Sequence, residues 1–284
     1  NGKDNLLTTL TDSYGNIYRN EYADMNDSYN SSYSPTATSY SYPYFAYVGP
    51  LNLLRTSAIY TNNYKQQKQY YYGYYGAVMH RTGLGFTGFE KISTHEYIEG
   101  VETVEIHNPK MFGVTTQVET PTKLITNDYR QDSFDNKKNN PRIISTYETN
   151  KLTGKKVVLN YEYDSYNNPT KKKAIYGSPA LQTIIELTYN NTITENCYIV
   201  GLLSSKTSTN KRHGDTWTIR ERILYNKDLL PDVYLSYIGK KRTSESYKEY
   251  NSNGNIIAEK FAKYNVTELL KKSYSYDLSS RYLE

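Results

Sequence analysis

The chain has 284 residues, of which 34 are tyrosine, 6 phenylalanine and 1 tryptophan; with tyrosine set aside, the apolar share falls from 37% to about a quarter, too little for a conventional large core. The 34 Lys+Arg against 29 Asp+Glu leave a net charge of +5, too small for charge-driven disorder at this length. The longest apolar run, residues 198–203, falls far short of the roughly 20 residues that span a bilayer, no basic-then-apolar opening marks a signal peptide, and the single cysteine, Cys197, excludes an internal disulfide framework or zinc ribbon.

Tyrosine, threonine, valine and isoleucine suit a half-wet pleated surface. A tyrosine buries a flat ring and keeps a polar tip that wants a partner or water. Composition therefore predicts an extended, all-β surface. The opening Asn1-Gly2-Lys3, without Met, fits a processed protein or a piece of a longer one.

In chain order, residues 6–11 read as a strand. A turn on Asp12, Gly15 and Asn16 follows, because Asp and Asn cap their own backbone and Gly turns left-handed at no cost. A second strand ends near Tyr22. Residues 24–44, mostly Asp, Asn, Ser, Tyr, Thr and Pro, read as a long surface loop whose tyrosines can dock onto a sheet. Residues 45–75 hold apolar stretches and the run Tyr70-Tyr71-Tyr72-Gly73-Tyr74-Tyr75, which puts tyrosine on both faces of a strand. Residues 102–107 alternate as a strand, 114–127 give one or two strands broken at Pro121, and 135–142 form a basic, Asn-rich loop. Strands at 143–147 and 155–163 are joined near Thr153-Gly154, and 184–189, 198–207 and 217–225 continue the pattern. Residues 256–272 contain good helix formers. Tyr264-Asn265 in their middle, and Tyr276-Asp277 just beyond, favour a hairpin there.

The chain also repeats itself. Tyr161-Glu162-Tyr163-Asp164, with Asn167-Asn168 after two spacers, has counterparts around Tyr250-Asn251 with Gly254-Asn255, at Tyr276-Asp277, and at Asp12 with Gly15-Asn16. Each copy is a β-hairpin, and hairpins that are marginal alone must share a surface when stacked. This frame resembles the YD repeat of the Rhs family, which includes the shell-forming middle subunits of insecticidal toxin complexes. Two further segments resemble that family. Gly83-x-Gly85-Phe86-x-Gly88-Phe89 is followed by a strand, and Cys197-Tyr198 leads into Gly201-Leu202-Leu203, with Cys-Tyr where the family has Trp. The resemblance covers nearly the whole chain, residues 24–44 least. It implies a single Rhs/YD-repeat-like β-sheet region over 1–284. That region would be a long curved antiparallel sheet, an open segment of a shell that encloses a C-terminal toxin or effector cargo. It also implies a secreted or bacterial cell-surface setting, the remainder of a parent chain and an enclosed cargo as partners, and no catalytic, cofactor or metal residue. Asp12, Gly15, Gly83, Gly85, Phe86, Gly88, Phe89, Tyr161, Tyr163, Asp164, Gly201, Tyr250, Asn251, Gly254, Tyr276 and Asp277 would then set the repeat geometry.

Other patterns are weighed against plainer readings. Gly83, Gly85 and Gly88 match the dinucleotide fingerprint by letter, but that motif opens a helix, and residues 89–97 read as strand; the glycines are expected to let two bent strands pass closely. Glu96, Glu99, Glu102 and Glu105 would alternate faces on a strand and read as solvated edges before an acid–base pair. His80, His95, His107 and His213 lack metal-ligand spacing, and no Gly-x-Ser-x-Gly elbow exists. Lys137-Lys138, Lys171-Lys172-Lys173 and Lys240-Lys241-Arg242 lie near tyrosines, a composition that suits single-stranded nucleic acid. They fall beside turns with acids interspersed, so solvated turns are expected and no nucleic-acid partner. Exposed tyrosines that hold sugar rings, as in a carbohydrate-binding or adhesion module, remain the second reading.

Overall fold

The computed structural model describes residues 6–27, 32–36, 38–61, 63–131, 140–194, 197–263 and 270–276. The chain divides into two compact units, Asn1–Lys156 and Val157–Glu284. The second is an antiparallel β-meander and the first a largely antiparallel sheet, so the all-β, antiparallel expectation holds.

The first unit contains β1 (Thr9–Thr11), β2 (Ile17–Asp24), β3 (Tyr33–Ser34), β4 (Tyr44–Ala46), β5 (Asn52–Tyr60), β6 (Gln66–His80), β7 (Gly85–Glu96), β8 (Val101–Asn108), a turn of 3-10 helix (Pro109–Met111), β9 (Val114–Glu119), β10 (Lys123–Arg130) and β11 (Arg142–Asn150). Antiparallel pairing runs β1–β2–β5–β6–β7–β8–β9–β10–β11. β6 is long enough to serve three partners on one edge. Gln66–Tyr71 pairs with β5, while further along Tyr74-Tyr75 pairs in parallel with β3 and Val78–His80 antiparallel with β4.

That second half of β6 changes the reading of residues 24–44. The described part of this segment is a strap that pairs with the edge of β6, and its Tyr33 packs, with Tyr47, Tyr74 and Phe89, against the apolar cluster of Met25, Leu53 and Ala77. The Tyr33 hydroxyl receives the amide of Ala77 at 3.4 Å and donates to the carbonyl of Tyr47 at 3.1 Å. The expectation that tyrosines of this loop dock onto a sheet is met at Tyr33, where the paired edge of β6 and these hydroxyl contacts hold the chain down. Tyr74, buried in this cluster, has its hydroxyl pushed up to about 12, chiefly by burial.

The second unit is a meander of β12 (Lys156–Tyr163), β13 (Pro169–Tyr176), β14 (Ser178–Thr194), β15 (Cys197–Arg212), β16 (Asp215–Tyr225), β17 (Pro231–Ile238), β18 (Lys241–Tyr250), β19 (Ile256–Lys263) and β20 (Leu270–Ser273). Each strand pairs antiparallel with the next. Residues 256–273 are therefore a hairpin, with Phe261 opposite Leu270; the turn expected at Tyr264-Asn265, the basic pair Lys137-Lys138 and Asp277 lie outside the described residues. The buried hydrophobic residues of this unit are Ala174, Leu235, Ala258 and Ala262, so its strands are mostly half-buried on both faces.

Two expectations about side chains change. Glu96 is not a solvated edge carboxylate. It is buried and accepts the backbone amides of Ile98 and Glu99, capping the β7–β8 turn. The close strand approach expected of the Gly83–Gly88 motif occurs only at Gly88. A Cβ there would lie 3.4 Å from the Cα of Gly113, and one at Gly113 would lie 3.0 Å from the carbonyl oxygen of Thr87. Gly83 and Gly85 face open space and serve the left-handed turn from β6 into β7.

Candidate functional site

The repeat residues build one recurrent turn. At Asp12 the carboxylate Oδ1 accepts the amides of Tyr14 and Asn16, each at 2.9 Å, and the Asn16 side chain donates to Oδ2 at 2.9 Å. The backbone closes around it: the Asp12 amide donates to the Asn16 carbonyl and the Gly15 amide to the Asp12 carbonyl, each at 3.0 Å. Asp164 repeats every bond with Tyr166, Asn167 and Asn168. Asn251 repeats the backbone set with Asn253, Gly254 and Asn255, its amide oxygen standing in for the carboxylate. The fourth position is left-handed each time, with φ of 81° at Gly15, 69° at Asn167 and 81° at Gly254.

A further copy escaped the sequence reading. Asn226 accepts the amides of Asp228 and Leu230, each at 3.0 Å, and Leu229 takes the left-handed position at φ 62°. The dipeptide Tyr225-Asn226 carries the Tyr-Asn signal, but Leu229-Leu230 stands where Gly-Asn was expected.

In the second unit, tyrosines link these turns. The residue that leaves each turn offers its carbonyl to a tyrosine on the following strand or just beyond it: Tyr189 donates to Pro169 at 2.8 Å, Tyr250 to Pro231 at 2.6 Å, and Tyr276 to Ile256 at 3.0 Å. Tyr225 donates likewise to the carbonyl of Leu203, inside β15, at 2.7 Å. In a meander, every second turn falls at the same end of the strands, about 10 Å apart for two strand spacings. The result is a row of side-chain-capped turns stitched by tyrosine hydroxyls. Tyr161 lies under the Lys172 ammonium, 5.6 Å from its ring centre, and Tyr163 closes β12 opposite Pro169.

Gly201 belongs to this row. Asn191 donates to Asp164 Oδ2 at 3.3 Å and accepts the Gly201 amide at 2.8 Å, while a Cβ at Gly201 would lie 2.8 Å from Asn168 Oδ1. The first turn is thereby tied to the β14–β15 hairpin. Burial alone would raise the Asp164 carboxyl, but the donors from Asn168, Tyr166 and Asn191 outweigh it and hold the group below its ordinary value. Asp12 is lowered too, first by the Asn16 side chain.

In the first unit, Phe86 and Phe89 of the glycine-rich motif stack edge-on at 5.3 Å between centroids. Phe86 meets Tyr47 at 6.1 Å and Phe89 meets Tyr74 at 5.0 Å. Next to them, a cleft of about 380 Å³ lies between the strap and β8. Its carboxylate, Glu90, receives the Tyr40 hydroxyl at 2.6 Å; burial opposes ionisation there, yet donors from Thr36, Tyr40 and Thr38 keep the group below its ordinary value. Glu90 thus anchors the strap. His107 Nδ1 lies 3.2 Å from the Gly113 carbonyl oxygen and 3.2 Å from the Thr115 hydroxyl. Among the described residues no His/Cys/Asp/Glu group is arranged to hold a metal ion. The second unit carries a polar cleft of about 520 Å³ beside Arg222 and Ser204, and one of about 200 Å³ between Tyr176 and Trp217.

No protein-family model and no curated protein matches the chain. Among solved structures, a TcdB2-TccC3-Cdc42 crystal structure is similar at 10% identity and a TM-score of 0.36, over 94% of this chain and 15% of that one. A Tc holotoxin pore of Photorhabdus luminescens is similar at 13% identity and a TM-score of 0.29, over 95% of this chain and 14% of that one. The chain spans about one seventh of the length of these structures.

Proposed function

We propose that this chain is a structural wall segment of a Rhs/YD-repeat shell, part of a longer protein that encloses a toxin or effector cargo for export and delivery. The observation that carries the reading is the tyrosine-linked row of side-chain-capped turns, Asp164 to Asn251, at one end of the strands. Such a row extends by adding hairpins and needs no thick core, and tyrosine-rich half-buried faces suit a wall wetted on its inner side. On this reading the repeat residues set spacing, no residue performs chemistry, and the setting is secreted or at a bacterial cell surface. The test is limited proteolysis of the full-length parent. Its C-terminal region should resist digestion many-fold better within the parent than when expressed alone; equal digestion rates would sink the shell reading.

A further inference from the structure

We propose that the cleft between Tyr176 and Trp217 binds a single acidic sugar ring, a uronic-acid-type pyranose. The site lies wholly on the second unit. Thr183, Asn210 and Trp217 occupy one row across β14, β15 and β16, and Leu181 and Arg212 share the face two residues further along. The row is fixed by the Thr183 hydroxyl, which donates to Asn210 Oδ1 at 2.8 Å. Tyr176 and Trp217 wall the cleft on its two sides, and both remain about half exposed, at 48% and 44%.

The chemistry of the lining narrows the ligand. The volume, about 200 Å³, is below the roughly 300–1,000 Å³ of drug-sized ligand sites, so one ring fits. Two aromatic walls suit the flat apolar face of a pyranose. With its oxygen taken by Thr183, Asn210 has its amide N–H groups left to offer, and Trp217 has only an indole N–H. Among the described residues, no hydrogen bond or ion pair engages the Arg212 guanidinium. The lining also holds the Lys211 ammonium, the Tyr176 hydroxyl and the Gln182 amide, whose buried Oε1 has no hydrogen-bond partner; the strongest group on offer is the Arg212 fork, which matches a carboxylate in two parallel bonds. A neutral sugar would use the aromatic walls and leave that fork unmatched. The one acid opposite is Asp215, register partner of Arg212 across the hairpin. It competes for the guanidinium and repels a ligand carboxylate.

Trp217 is the sole tryptophan, so its emission, excited at the red edge where tyrosine does not absorb, reports on this cleft alone. The intact chain is titrated with methyl glucuronide, methyl glucoside and sodium acetate. The expected result is a saturable change with the glucuronide at a concentration at least about tenfold lower than with either control, the fold corresponding to one decade in affinity. Arg212→Gln should erase the preference over the glucoside, Tyr176→Ala should weaken both sugars, and Asp215→Asn should tighten the glucuronide. All three positions are on exposed strand surface, and circular dichroism checks that the variants fold. No response to the glucuronide, an equal response to acetate, or a preference that survives Arg212→Gln would each overturn the proposal. The outcome is independent of the shell reading, which the protease experiment on the parent decides.

Discussion

Asp164 concentrates four hydrogen bonds on one carboxylate, from two backbone amides and two asparagine side chains. Bonds to a charged group contribute about 1.5–3 kcal/mol when they are not shared with water; half-exposed here, the set is expected to contribute roughly 1–3 kcal/mol. Asp164→Ala should lose most of it, whereas Asp164→Asn should keep the two backbone bonds, as Asn226 and Asn251 do at their own turns. The pH dependence has a definite sign. Because the folded carboxyl is held below its ordinary value, its contribution is complete above the unfolded pKa of about 3.9 and disappears as pH falls through the lower folded value. Thermal unfolding of the wild type and Asp164→Asn between about pH 6 and pH 2 should therefore converge at the acid end; parallel curves would show that the charge contributes nothing. Gly88 and Gly85 give a second comparison. Ala at Gly88 meets the Gly113 backbone at φ 115°, while Ala at Gly85 meets nothing at φ 69°. Gly88→Ala should be the more destabilising by about 1–2 kcal/mol in denaturant titration.

At the scale of the element, the turn of Asn226–Leu230 is an experiment already set up by the sequence. Leu229 sits at φ 62°, where a side chain costs about 1–2 kcal/mol. It is 44% exposed and so recovers little by burial. Leu229→Gly should stabilise the chain by about 1 kcal/mol, an outcome opposite in sign to most substitutions; a loss of stability would mean that Leu229 packs in a way its exposure hides. Tyr250→Phe removes only the hydroxyl that reaches Pro231 and should cost about 1 kcal/mol, measured as a fall in Tm. The same turn marks what was legible in the sequence. Capping by Asp12, Asp164 and Asn251 was readable because side chain, acceptor and left-handed residue lie within five positions of one another. The Asn226 copy was not, because its neighbours tolerate a leucine where local chemistry asks for glycine. The strap was legible in part: that its tyrosines can dock was readable, but where they dock was not. Its polar composition describes a loop, and only contacts to β6 and to Glu90, far along the chain, fix it to the sheet. Glu96 was misread likewise: periodicity gives the face of a strand, but a turn-capping carboxylate is defined by amides beyond the strand's end.

At the scale of the whole molecule, the two units differ in how they are held together. The first buries Met25, Leu53, Ala58, Ala77 and Val78, the last two completely. Among the described residues, the second buries Ala174, Ala258, Ala262 and Leu235. Burial contributes about 25 cal/mol per Å² of apolar surface, so the larger side chains put most of this contribution in the first unit. The second depends more on its ladder of backbone bonds and on the capped turns. Local stability should follow, because opening free energies track buried apolar contact. In native-state hydrogen exchange, amides of β5, β6 and β7 should be the slowest of the chain, and those of β17 to β20 should exchange faster at every denaturant concentration below the transition. Met25→Ala tests the cause. Removing a buried Met costs about 2–5 kcal/mol, and the loss of protection should concentrate in β5–β7 and the strap segment, where Met25 packs against Leu53 and Ala77. Uniform protection across both units, or a Met25→Ala effect spread evenly over all strands, would mean that the apolar cluster does not set the stability of the first unit. It would also mean that capped turns alone hold a sheet as firmly as a core does.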